Sequence, residues 1–213
     1  LGDAALAAIL ASRRIAVPGC HASGFIALVA PLVEERLLAA DAPLACTSLT
    51  GYSGGGKKMI ADYAEKGAAY DPLRAYGPAQ AHKPLPEMQK MTGLAEPPVF
   101  LPVVGNFYSG MLVSVPLHRS MLRGGAGIED VRAVYRARYT GPVVSYREAV
   151  SEGGFLSAGR LSGRDGMWIA CEGGGDRFTL LAAYDNLGKG ASGAAVQLLN
   201  LKMGVDPTLG LKL

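Results

Sequence analysis

No apolar run in this chain approaches the roughly 18 residues that a membrane span requires, and its first residues lack the charged, apolar and small-residue succession of a secretory signal. A soluble, non-exported, cytoplasmic protein with no membrane partner is expected. Cysteine is scarce: Cys20, Cys46 and Cys171 are widely spaced, odd in number and in no CxxC or metal-finger arrangement, so neither a disulfide framework nor a zinc site is indicated. Histidine is equally rare at three residues, which makes the search for a proton carrier short. A strong excess of charge of one sign is missing too. With 21 Lys and Arg against 18 Asp and Glu, the net charge of +3 is too mild and dispersed for a nucleic-acid partner, although it suits a small anionic substrate. No GxGxxG phosphate-binding turn occurs ahead of Cys20.

What is present is enough apolar residue, 49% of 213, to bury a sizeable core in one large domain. The patterning predicts helices over 3–12, over 25–38 with a kink or break at Pro31, over 59–65, over 128–139 and over 191–203, the last closed by Gly204. Strands are predicted at 14–17, 43–49, 99–104, 111–117, 143–146, 168–172 and 178–184. Six prolines between residues 71 and 98 make that stretch read as irregular. The mixture predicts an α+β fold with a mixed, largely antiparallel sheet and helices packed on it.

Cys20 is placed where a reactive thiol belongs. A short apolar segment runs into Pro18-Gly19 and then directly into an amphipathic helix, whose unpaired amides favour a thiolate and so predict a lowered thiol pKa. The segment Gly51 to Lys58 nearly matches a P-loop, but Lys58 stands where magnesium would need Ser or Thr, so nucleoside triphosphate hydrolysis is rejected. Its glycine amides and two lysines still suit a phosphate or carboxylate. Among the histidines, His21 adjoins Cys20, yet neighbouring side chains in a turn diverge. His118 reads as an ordinary solvated residue. His82 lies in a proline-stiffened loop with Glu87 five residues on. Asn186, in Asp185 to Ala195, carries an amide suited to a carboxamide ligand or to its own turn.

Pro18-Gly19-Cys20, the Gly-Tyr-Ser-Gly-Gly-Gly-Lys run, His82-Lys83 with Pro86-Glu87, Val104 to Phe107 with Gly110-Met111, and Asp185 to Ala195 occur here in order. In this combination the chain resembles the catalytic half of the N-acetyl-gamma-glutamyl-phosphate reductases, within the semialdehyde dehydrogenase group, and especially their shorter subclass. The resemblance implies the C-terminal-domain fold shared with the glyceraldehyde-phosphate dehydrogenases, a homo-oligomer (dimer or tetramer), and NADP(H)-dependent reduction of an acyl phosphate in arginine biosynthesis. It makes Cys20 the nucleophile and His82 the acid and base. Ser53, Gly54, Gly56, Lys57 and Glu87 fall on the substrate side, and Gly19, Asn186, Gly188, Lys189 and Gly190 beside the cofactor. Two positions depart from the pattern: Pro84 replaces a second histidine, and His21-Ala22-Ser23 replaces Tyr-Pro-Thr. The resemblance also puts a dinucleotide-binding domain of roughly a hundred residues before the cysteine. Only 19 residues precede it here. The expected organisation is therefore a remnant of that domain over 1–18, a catalytic and oligomerisation domain over 19–184, and a C-terminal helix and tail over 185–213. Two alternatives are a non-catalytic interaction module and a cofactor-free thiol acyltransferase or hydrolase.

Overall fold

The computed structural model describes residues 3–213; Leu1 and Gly2, at the start of the expected 1–18 segment, lie outside the described residues. Seven strands form one sheet: β1 (Ala45–Gly51), β2 (Arg74–Ala75), β3 (Val99–Gly105), β4 (Met111–His118), β5 (Val144–Tyr146), β6 (Met167–Gly174) and β7 (Arg177–Tyr184), in the order β2-β3-β1-β4-β7-β6-β5. Only β1 with β3 and β5 with β6 run parallel; the other four neighbouring pairs are antiparallel. The architecture is α+β, as the patterning predicts.

Alternation along the strands sorts the two faces. Met111, Val113, Val115 and Leu117 of β4, with Phe178, Leu180, Ala182 and Tyr184 of β7, join one core. Helix α2 (Cys20–Glu34) lies on that core and contributes Phe25, Leu28, Val29 and Leu32, flanked by α4 (Pro84–Thr92) and α5 (Ile128–Arg138). Each such side chain contributes about 1.5–3 kcal/mol by burial, which outweighs the weak helix propensity of Gly24 and Pro31. Pro31 lies within α2 without ending it. A proline lacks the amide that would bond the carbonyl four residues back, and here that carbonyl, of Ala27, accepts instead from the Tyr139 hydroxyl at 2.6 Å. The other sheet face carries a small cluster of Leu112, Val150, Ala170 and Leu181, while towards β3 it is open, with Val99 65% and Leu101 45% exposed.

The remaining helices are α1 (Asp3–Ala11), α3 (Gly56–Lys66) and α6 (Gly193–Met203). Three differences from the sequence reading have physical causes. Residues 14–17 belong to no sheet: they pair with none of the seven strands and lead as irregular chain into α2. The proline-rich 84–92 stretch is helical, since Pro84 occupies the first turn where no amide is required. The last helix begins with a π-helical turn, Gly188–Ser192, before α6, and Gly204 ends it at φ 70° as expected.

Candidate active site

Cys20 is the first residue of α2, and three elements hold it there. The Gly19 amide donates to both carboxylate oxygens of Glu87 on α4, at 3.3 and 3.2 Å, tying the Pro18-Gly19 turn to that helix. Tyr184 from β7 then enters the first turn of α2. Its hydroxyl donates to the Cys20 carbonyl at 2.6 Å and accepts from the Gly24 amide at 3.1 Å, bridging a pair that would otherwise bond directly. Gly24 is required by this approach, because a Cβ there would lie 2.6 Å from the Tyr184 oxygen. Gly190 in the π-helical turn packs on the other side, where a Cβ would come within 3.0 Å of that of Cys20.

The amides of Cys20 and His21 do point at the sulfur and lower its pKa, as the helix start predicts. They do not win. Burial is the largest influence, the Glu87 charge adds to it, and the thiol lies above its ordinary value instead of below. The expectation of a resting thiolate is corrected accordingly: desolvation outweighs the helix-start dipoles.

Cys20 faces a cleft of about 340 Å³ that also takes in Gly19, Gly54, His82 and Glu87 from the predicted set. Burial, and then the Lys83 charge, lower the pKa of His82, so its imidazole is neutral at pH 7. Its Nδ1 is buried without a hydrogen-bond partner among the described residues. His21 also lines the cleft, with both ring nitrogens committed to hydroxyl partners. Its Nδ1 lies 2.7 Å from Ser48 Oγ on β1 and its Nε2 2.7 Å from Tyr76 Oη, with its pKa lowered to about 4 by burial and by His82.

The other predicted residues do not line this cleft. Asn186 is buried; its Oδ1 accepts from the Gly110 amide at 2.9 Å and its Nδ2 donates to Ser53 Oγ at 2.9 Å, which locks three loops together. Lys189 donates to Gln197 at 2.6 Å, Gly188 is buried, and Gly56 and Lys57 are exposed at the start of α3. Sequence reasoning passed over Tyr76, Thr50, Met59 and Lys83, all of which line the cleft. Tyr76 has no local motif. It reaches the site because β2 pairs along the edge of β3 and its amide continues that pairing to the Pro102 carbonyl. Lys83 was legible, as the cation beside His82.

The profile of a family described as semialdehyde dehydrogenase, dimerisation domain, matches residues 20–186. The chain belongs to the semialdehyde dehydrogenase family. N-acetyl-gamma-glutamyl-phosphate reductases from Trichormus variabilis and Brucella ovis are 37% and 42% identical to it over 94% and 92% of its length. It spans 66% of the length of each. An aspartate semialdehyde dehydrogenase II from Vibrio cholerae shares the fold, with a TM-score of 0.69 at 17% identity over 94% of this chain and 65% of that one. The family region begins at Cys20, whose carbonyl accepts from Tyr184 at the end of β7, and ends at Asn186 in the turn that follows that strand.

Proposed function

We propose that this chain carries the thiol half-site of an NADP-dependent N-acetyl-gamma-glutamyl-phosphate reductase. The observation that carries the reading is Cys20 at the mouth of α2, held by Glu87 and Tyr184 and opening onto a cleft shared with a neutral His82. Substrate class and reaction follow the names of the relatives, and the absence of strong net charge is consistent with a small anionic substrate.

In this reading neutral His82 takes the thiol proton as Cys20 attacks the acyl carbon, the carbon–sulfur bond forms, and inorganic phosphate leaves with the electrons of the broken carbon–oxygen bond. The Cys20 and His21 amides stabilise negative charge that develops near the sulfur. Lys83, exposed at the cleft edge, pairs with an anionic group of the substrate. NADPH, when bound, would supply the hydride needed to reduce the thioester to the aldehyde level. His82 then returns its proton as the carbon–sulfur bond breaks and the thiol reforms.

The cleft volume fits the acyl substrate and the reacting ring, and not a whole dinucleotide. We assign the remaining dinucleotide contacts to a segment that the relatives have and this chain does not span, and read 1–18 and 185–213 as the parts that meet it. The open sheet face at Val99 and Leu101 is read as a surface for a second copy, in line with the family description. Incubation of the chain with N-acetyl-glutamyl phosphate tests the reading. Phosphate release near one equivalent per chain without NADPH, abolished in Cys20→Ser, is the expected result. Equal release from the Cys20→Ser protein would refute it.

A further inference from the structure

The cleft wall beside His82 contains a hydrogen-bonded chain whose direction is fixed by what is buried at its inner end. Ser48 Oγ is inaccessible to solvent and has, among the described residues, a single hydrogen-bond partner, His21 Nδ1 at 2.7 Å. His21 Nε2 lies 2.7 Å from Tyr76 Oη, and Tyr76 lines the cleft that holds Cys20. Neutral imidazole donates from one nitrogen and accepts at the other, so two arrangements exist. If Nδ1 carried the proton, Ser48 would accept it and its own hydroxyl proton would be buried with no acceptor, a costly state. If Nε2 carries it, Ser48 donates to Nδ1, Nε2–H donates to Tyr76 Oη, and every group along the chain is satisfied. The phenol proton then has nowhere to go but the cleft.

We propose that Tyr76 is a directed hydrogen-bond donor into the Cys20 cleft, acting on an anionic oxygen of the bound acyl compound, and that Ser48 and His21 are positioning residues which free its proton for that purpose. The inference rests on the reading of Cys20 as the nucleophile for its ligand class, but the proton arrangement stands on the geometry alone. Ring packing supports it: His82 and Phe100 each meet the His21 ring edge-on, at 5.9 and 5.4 Å between centroids, which holds the imidazole between its two hydroxyl partners. With its pKa lowered to about 4, His21 remains neutral where the chain is required to work.

The test uses the unaltered chain first. Nitrogen-15 NMR of the labelled protein at pH 7 is expected to report the Nε2–H tautomer for His21, and an Nδ1–H tautomer would overturn the proposal. The second arm compares alkylation of Cys20 by iodoacetate and by iodoacetamide, since only the former brings an anionic oxygen and the ratio cancels changes in the sulfur itself. Tyr76→Phe is expected to lower the iodoacetate-to-iodoacetamide ratio about tenfold. Ser48→Ala should lower it as well, although Ser48 does not reach the cleft, because His21 is then free to take the other tautomer and accept the phenol proton. An unchanged ratio in Tyr76→Phe would overturn the proposal. If neither reagent prefers Cys20 over Cys46 and Cys171 in the unaltered chain, the nucleophile reading fails instead, and the tautomer measurement still decides the proton arrangement.

Discussion

Burial and helix-start amides act on the Cys20 sulfur with opposite sign, and burial dominates. The rate of iodoacetamide alkylation at Cys20 should therefore keep rising with pH through 9, and a plateau near pH 7 would contradict the assignment. Cys20 should still react ahead of Cys46 and Cys171, since both are buried in the core and burial pushes Cys171 up to about 12 and Cys46 higher. His21 gives a second expectation. In the unfolded chain its pKa is near 6.5, in the folded one about 4, so the unfolded state binds the proton first as pH falls. Its contribution, about 3 kcal/mol, is present in full above pH 6.5 and lost between there and pH 4. Urea unfolding followed across that window should show the loss, and His21→Asn should flatten it. At this scale Cys20 and His82 were legible because each sits in a local pattern, whereas Tyr76 was not. Its place in the site comes from an edge-strand pairing with residues far along the chain, Ala75 with Val103 and the Tyr76 amide with Pro102.

Helix α2 is the element on which the site depends, and its two irregularities are each met by a tyrosine hydroxyl. Gly24→Ala would drive a methyl group into Tyr184 Oη and Val113, and should cost about 1–3 kcal/mol in chemical denaturation while slowing alkylation of Cys20. At Pro31 the prediction is a coupling. Tyr139→Phe should destabilise the protein by about 1–2 kcal/mol, because the Ala27 carbonyl loses its partner, and by less in a Pro31→Ala background where the helix can supply its own amide. Additive losses in the double variant would refute that account. Most elements were readable from their apolar patterning, since every second residue of β4 and β7 falls on one buried face. Those that were not readable have short or unusual signals. β2 is only two residues long, and α4 begins with two prolines in its first turn that resemble a loop when read as breakers.

At the scale of the molecule, one face of the sheet is closed by α2, α4 and α5 and the other is partly bare, which agrees with a chain that completes its core against a copy of itself. Leu101→Asp should convert the assembly to a monomer by sedimentation velocity with little loss of secondary structure, and an unchanged assembly would place the contact elsewhere. The central claim is narrower than the assembly and can be weighed directly. After brief exposure to N-acetyl-glutamyl phosphate and an acid quench, peptide mass spectrometry should find the N-acetyl-glutamyl group attached to the peptide containing Cys20, and on neither Cys46 nor Cys171. An unmodified Cys20 accompanied by phosphate release would contradict the thioester account.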